Sequence, residues 1–266
     1  MNKLTKSEFE LALLRGIKRG EFILYYQPQF SLFTEKFAGV EALVRWHHPE
    51  KGLLMPAEFI PLAEETSVIA QLGRWALAAA CREVRQWQGE GLSDLHVAVN
   101  VSAYELQQED YVETVNAILT ETGLPPHCLE IEISENVLIN NRGMVDRIKA
   151  LKQLGVQIVL DDFGTGFSSI HYLKSIPVDK LKIDQSFIQH INTNPNDAAI
   201  VRALIALARA MYLQVVAEGV ESLKQLQALT HHSCGEVQGY YFSEPLPQDE
   251  MQSFLLKYKD AAFIKH

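Results

Sequence analysis

The sequence predicts an α/β fold, a TIM-like (β/α)8 barrel with one antiparallel strand near the N-terminus. Three observations carry that prediction. Short runs rich in Val, Ile and Leu alternate with helical patterns along the chain, which implies β-α units around a mostly parallel sheet. About eight such strands fall within 266 residues, a length that suits one closed barrel, since these domains typically run to ~250 residues. The first two strands are separated only by Ser31–Lys36, too short for a parallel crossover, so they pair antiparallel.

An opening helix is expected over 7–19. There Ser7 and Glu10 fit a capping box, Phe9, Leu13, Leu14 and Ile17 form one stripe, and Gly20 ends the helix. Strands follow over 22–27, 37–45, 95–101, 128–134, 156–161, 179–184, 213–218 and 236–242. Helical patterns fill the intervals over 56–65, 67–90, 103–122, 142–154, 167–175, 197–211, 221–230 and 247–258. Breakers such as Gly123-Leu124-Pro125-Pro126 and Gly155 fall between elements. Many strands read as apolar runs because helices cover the outside of a parallel sheet. No repeat, low-complexity segment or linker divides the chain, so residues 1–266 read as a single domain with the barrel over about 22–258.

Composition narrows the function classes. With 47% hydrophobic and 21% charged residues the chain can bury a sizeable core, which excludes a disordered or fibrous protein. No apolar stretch reaches the ~18–20 residues of a membrane span, and the start lacks the apolar region of a secretory signal. Cys81, Cys128 and Cys234 are odd in number and form no C-x-x-C pair, which argues against a disulfide framework. A cytoplasmic protein is the expectation. The 24 Lys and Arg against 33 Asp and Glu leave a net charge of −9, which argues against a duplex nucleic-acid partner. It does not exclude a phosphate substrate, because carboxylates can hold cations that in turn bind phosphate.

In such a barrel the active site lies at the C-terminal ends of the strands. The second strand carries Glu41 and Arg45, the third ends at Asn100 and Ser102, and the fourth carries Glu130 and Glu132 with Glu135 beyond. The fifth ends in Asp161-Asp162, the sixth in Lys182-x-Asp184, the seventh in Glu218 with Glu221 following, and the eighth holds Gln238. A single acid at a strand end is ordinarily a solvated loop residue; an acid or amide from nearly every strand is not. In Leu-Glu-Ile-Glu-Ile-Ser, alternation sends Leu129, Ile131 and Ile133 to one face and Glu130 and Glu132 to the other, into the barrel, where unpaired charge is expensive. Glu41, Glu132, Asp161, Asp162 and Glu218 carry five negative charges, which two divalent cations and Lys182 together neutralise. Carboxylates and an amide oxygen are hard donors suited to Mg²⁺, Mn²⁺ or Ca²⁺. His47-His48 and His231-His232 are adjacent pairs that converge poorly on one ion. Gly164-Thr-Gly166 is not a dinucleotide fingerprint, since Ser169 stands where the third glycine belongs; it reads as a loop beside the cations.

These residues resemble a known family. Glu41-Ala42-Leu43-Val44-Arg45-Trp46 is similar to the signature of the EAL domain, a bacterial phosphodiesterase acting on cyclic di-GMP, and the likeness runs from about Phe9 to Phe254. Tyr26-Gln27-Pro28, the 56–65 segment, Asn100-Val101-Ser102, Glu130 to Glu135, Asp161 to Ser169, Lys182-Ile183-Asp184, Ala217 to Glu221 and Gln238-Gly239-Tyr240 resemble family motifs in the family's order. The resemblance implies that Glu41, Asn100, Glu132 and Asp161 hold one cation, with Glu218 completing the set directly or through water. Asp161 would bridge to a second cation that Asp162 also holds. It implies Mg²⁺ or Mn²⁺ as cofactor, with Ca²⁺ inhibitory. Lys182 matches the lysine that orients the attacking water, Glu218 a candidate proton acceptor, and Glu135 the anchor of the Asp-Asp-Phe-Gly loop. Gln27, Leu43, Arg45, Asp184, Glu221, Gln238 and Tyr241 match positions at or near the substrate. Phe167 replaces the commoner Tyr, and Glu244 stands where a basic residue is frequent.

The expected reaction is hydrolysis of cyclic di-GMP to linear 5′-pGpG by in-line attack of a cation-activated water. A non-catalytic cyclic di-GMP receptor is the alternative, and a two-metal phosphodiesterase for other nucleotides is a third reading. A homodimer and a regulatory domain, fused or separate, are the protein partners the resemblance admits.

Overall fold

The computed structural model describes residues 6–138, 142–165, 173 and 176–259. Helix α1 (Lys6–Arg19) opens the chain and stops at Gly20, whose φ of 68° lies in the left-handed region that glycine enters freely. Ser7 lies inside this helix rather than ahead of it, so the expected capping box does not start it.

Strands β1 (Phe22–Ser31) and β2 (Lys36–His48) form a long antiparallel hairpin pairing Phe22 with Trp46 and Gln27 with Glu41. A short β3 (Gly52–Leu54) adds to β2. Helices α2 (Pro56–Glu64) and α3 (Val68–Gly89) precede β4 (His96–Asn100). The expected helix over 103–122 is two helices, α4 (Ala103–Gln107) and α5 (Tyr111–Thr122). Then come β5 (Leu129–Ser134), α6 (Glu135–Leu138), α7 (Arg142–Leu154), β6 (Gln157–Phe163) and β7 (Lys180–Ile183). The helix expected over 167–175 and Phe167 lie outside the described residues, apart from the buried Leu173. The chain continues through α8 (Gln185–Gln189), α9 (Pro195–Ala210), β8 (Gln214–Ala217), α10 (Leu223–His231), β9 (Glu236–Gln238), β10 (Leu246–Pro247) and α11 (Gln248–Tyr258).

The sheet closes. Strands β2, β4, β5, β6, β7, β8 and β9 run parallel in that order, and β1 bridges β9 to β2 antiparallel to both. This eight-stave barrel with one reversed stave is the fold class the sequence predicts. β3 and β10 lie outside the ring as short additions to β2 and β1.

Outward side chains of the staves meet the helices in the main core, for example Val97, Val99, Ile131, Ile133, Ile158 and Leu160 against Leu77, Ala80, Val84, Val115 and Ile148. A second core of Phe9, Leu13, Phe22, Trp46, Phe59 and Leu72 binds α1, α2 and α3 to the start of the hairpin. Phe22 stacks on Trp46 at 5.1 Å, and the Trp46 indole donates to Glu21 at 3.1 Å. No helix among the described residues is long and apolar enough to cross a membrane.

Candidate active site

Inside the ring, alternation sends every second residue toward the axis, and much of what it sends is charged. Lys182, fully buried on β7, is the centre of the upper layer. Its Nζ lies 2.8 Å from Glu218 Oε1, 2.9 Å from Glu132 Oε2, 3.3 Å from Glu41 Oε2 and 3.5 Å from Asp161 Oδ2. Asn100 Nδ2 donates to Glu41 Oε1 at 2.7 Å, and Gln238 Nε2 donates to Glu41 Oε2 at 2.6 Å and Gln27 Oε1 at 2.9 Å. Gln29, which the sequence reading left out, donates to Gln238 Oε1 at 3.1 Å.

Two successive aspartates both reach this mouth because β6 is irregular there. Its pairing with β7 slips between Leu160 and Phe163, and Asp162 adopts φ 55°, a conformation its short polar side chain tolerates. Asp161, Asp162 and Glu218 each offer a carboxylate oxygen within 4.8 Å of the others. Glu135 Oε2 accepts from the Gly164 amide at 2.9 Å just beyond this bulge.

The electrostatics are unbalanced. Burial, then Glu41 and Asp161, push the Glu132 carboxyl well above the usual range in spite of Lys182. Burial likewise raises Glu218 to about 7, and burial with Asp161 and Asp184 raises Asp162. Burial also opposes ionisation of Glu41, but Lys182 and the amides of Gln238 and Asn100 bring its carboxyl below the usual value. Burial works against the Lys182 ammonium too, yet the surrounding carboxylates hold it firmly protonated. Glu132 Oε1 is buried with no hydrogen-bond partner. Four carboxylates crowded on one ammonium, with oxygens to spare, fit the hard donor set that Mg²⁺ or Mn²⁺ takes.

The other expected positions are placed unevenly. A cavity of about 500 Å³ runs from Asn100, Glu132, Asp161 and Asp162 along Leu43 and Val44 toward α2 and α3. Arg45 is buried over the Tyr25 ring at 5.4 Å; its Nη1 donates to Val44 O at 3.0 Å and its Nε has no partner. Asp184 caps α8 through Ser186. Glu221 is exposed beside α10, and Glu244 is exposed as well. Tyr241 packs against the core, and the neighbouring Tyr240 is 59% exposed. Strand β9 ends at Gln238, not 242, because Gly239 turns there with backbone so close to Val220 that a Cβ would stand 2.2 Å from its oxygen. Glu130 belongs to a separate lower layer rather than to the mouth, bound to Lys180 at 2.8 Å and His96 at 3.0 Å. His48 Nδ1 accepts from the Glu50 amide, and His231 packs on His232 at the end of α10.

At the strand ends of an eight-stave α/β barrel, five carboxylates, the Asn100 and Gln238 amides and one buried lysine thus share one mouth. The chain belongs to the EAL domain family, whose model matches residues 10–245. It is 42% identical over 257 residues to the cyclic di-GMP phosphodiesterase NbdA of Pseudomonas aeruginosa, covering 96% of this chain and 33% of that protein. It is 41% identical over 258 residues to the signaling protein YkoW of Bacillus subtilis, covering 96% of this chain and 32% of YkoW. The chain thus spans about a third of the length of these curated relatives. A solved structure of the PaMucR phosphodiesterase in complex with c-di-GMP superposes with a TM-score of 0.88 at 39% identity, covering 91% of this chain and 99% of that one.

Proposed function

We propose that the chain hydrolyses one phosphodiester of cyclic di-GMP to linear 5′-pGpG. The observation that carries this reading is the upper layer itself: four carboxylates on a single buried ammonium, with Asp162 beside them and an open cavity in front. The names of NbdA and PaMucR supply the substrate class.

Glu41, Asn100, Glu132, Asp161, Asp162 and Glu218 would hold two divalent cations, Mg²⁺ or Mn²⁺. When bound, such cations supply Lewis acidity toward phosphoryl oxygens and make water a better nucleophile at neutral pH. The chain's own groups do the rest. Lys182 is held as an ammonium, so it donates a hydrogen bond that orients the attacking water and does not act as base. Glu218, 2.8 Å from Lys182, is placed to take the proton that water loses. Water oxygen bonds to phosphorus as the bond to the 3′-oxygen breaks; the water's proton passes to Glu218, and the departing 3′-oxygen takes a proton from solvent water. Arg45 is the guanidinium proposed to meet the charge on the phosphate.

The test is chromatography of the chain incubated with cyclic di-GMP. pGpG with Mg²⁺ or Mn²⁺, and none with Ca²⁺ or chelator, is the expected result. Tight binding of the dinucleotide without product under any cation would overturn the hydrolase and establish a receptor.

A further inference from the structure

Among the described residues, one carboxyl outside the acid cluster is buried without a cationic side chain paired to it. Glu105, the third residue of α4, is 5% exposed. Its Oε2 accepts from the Ser102 amide at 3.0 Å and the Ser102 hydroxyl at 2.6 Å, while its own amide donates back to Ser102 Oγ at 3.3 Å. Its Oε1 presses against α3 at Gly73, where a Cβ would stand 1.6 Å away. A glycine inside a helix costs about 1 kcal/mol relative to alanine, and the room it makes here is filled by this one carboxyl. Around it stand Glu64 of α2, whose charge opposes ionisation, and Tyr111 of α5. Arg74 of α3 shares a small cavity with it but donates to Asp110 and Thr114, both at 3.0 Å. Burial first, then Glu64, raise Glu105 to about 7 against the pull of Ser102.

An ordinary helix cap does not need an acid buried this deeply. What the clamp holds is the chain leaving β4 directly after Asn100. The Val101 amide is tied to Glu132 O at 2.9 Å, the next amide is tied to Glu105, and Asn100 reaches Glu41 at 2.7 Å. Asn100, Ser102, Glu105 and Gly73 all border the cavity in front of the acid cluster.

We infer that Glu105 is a positioning residue for the cation centre: wedged against Gly73, it fixes the Ser102 turn and so the direction in which Asn100 presents its side chain. The inference deepens the proposed function and rests on Asn100 being a cation ligand, but not on the identity of the substrate. Groups that orient metal ligands typically change metal affinity by about 10–100-fold when removed.

The test is Mn²⁺ titration of the full chain without substrate, followed by electron paramagnetic resonance, with circular dichroism as the check on folding. Glu105→Ala is expected to weaken Mn²⁺ binding by about tenfold or more, and Glu105→Gln, which keeps a neutral acceptor of the same shape, to restore it. In turnover assays Glu105→Ala should lower kcat more than it changes KM. Gly73→Ala, whose methyl overlaps the carboxyl, should weaken Mn²⁺ binding in the wild-type background and have no further effect in Glu105→Ala. A folded Glu105→Ala that binds Mn²⁺ as wild type does, or a Gly73→Ala effect equal in both backgrounds, overturns the inference. If Glu105→Ala does not fold, Ser102→Ala decides: weaker Mn²⁺ binding supports the clamp and unchanged binding overturns it. Wild-type chain that binds Mn²⁺ without cleaving cyclic di-GMP would sink only the hydrolase reading, and wild type that binds no Mn²⁺ would sink both.

Discussion

The barrel contains two ionic layers built from the same parts. Strand β5 contributes Glu130 below and Glu132 above, and β7 contributes Lys180 below and Lys182 above, two residues or about 6.6 Å apart along each strand. In the lower layer Lys180 binds Glu130 and Glu236, both at 2.8 Å, and His96 adds a hydrogen bond to Glu130. Although burial opposes it, Lys180 and His96 hold the Glu130 carboxyl down at about 2. In the upper layer one lysine faces four carboxylates, and Glu132 and Glu218 are raised. Among the described residues each layer leaves one buried carboxylate oxygen without a partner, on Glu130 and on Glu132, so a buried orphan does not distinguish them. The charge count does. The charge of the lower layer is nearly balanced by its own residues; the upper is short of positive charge and borders the cavity lined by Asn100, Asp161 and Asp162.

The largest expected effect tests whether that shortage is functional. Glu41→Gln or Asp161→Asn removes a charge without changing size. Loss of several kcal/mol of transition-state stabilisation corresponds to on the order of a thousandfold or more in turnover, with the fold retained by circular dichroism. The matching change below, Glu130→Gln, should leave turnover per folded molecule close to wild type. If Glu41→Gln stays near normal, or Glu130→Gln is equally dead while folded, the division of labour between the layers is wrong.

The two lysines sharpen the comparison at a lower magnitude. Lys182→Ala is expected to reduce kcat by about 10²-fold or more while KM changes less, because its donor acts on the attacking water. Lys180→Met leaves the buried Glu130 and the half-buried Glu236 without their cation, which costs about 3–5 kcal/mol in denaturant unfolding. Its kcat per folded molecule should hold. An unchanged unfolding midpoint for Lys180→Met would show that the lower network is not what neutralises Glu130.

Why the sequence shows one layer and hides the other follows from what periodicity measures. Alternation in Leu129–Ser134 establishes that Glu130 and Glu132 face the axis, and both are buried there. It carries no information about height, so the sequence groups the two at one rim. The height is set by register, which pairs Glu130 with Ala98 and Glu132 with Asn100. The closed barrel and its reversed first stave were legible, because a Ser31–Lys36 connection admits only a hairpin. The end of the eighth stave was obscured because a strand assumed to run to 242 is broken by the turn at Gly239. Glu105 was equally hidden: nothing in the spacing from Gly73 to Glu105 shows that the two meet.

The smallest expected effect separates the layers by pH. A group whose carboxyl is raised on folding contributes stability below its ordinary value near 4.5 and loses it as pH climbs through the folded value. Glu218, at about 7, and Glu132 are of this kind, so the cation-free chain should lose stability between about pH 4.5 and 7. Glu130 has the opposite sign: its contribution is present above about 4.5 and is lost as pH falls toward 2. Cations compete with the protons of the upper layer only. Mn²⁺ at about a hundred times its dissociation constant should raise Tm by about 5–10 °C at pH 8, and by much less at pH 5, where protons already occupy those carboxylates. Chelator should abolish the gain at pH 8 and leave the acid limb below pH 4 in place. An equal Tm gain at both pH values would mean that the bound cation displaces no protons, and the raised carboxylates of the upper layer would then not be its ligands.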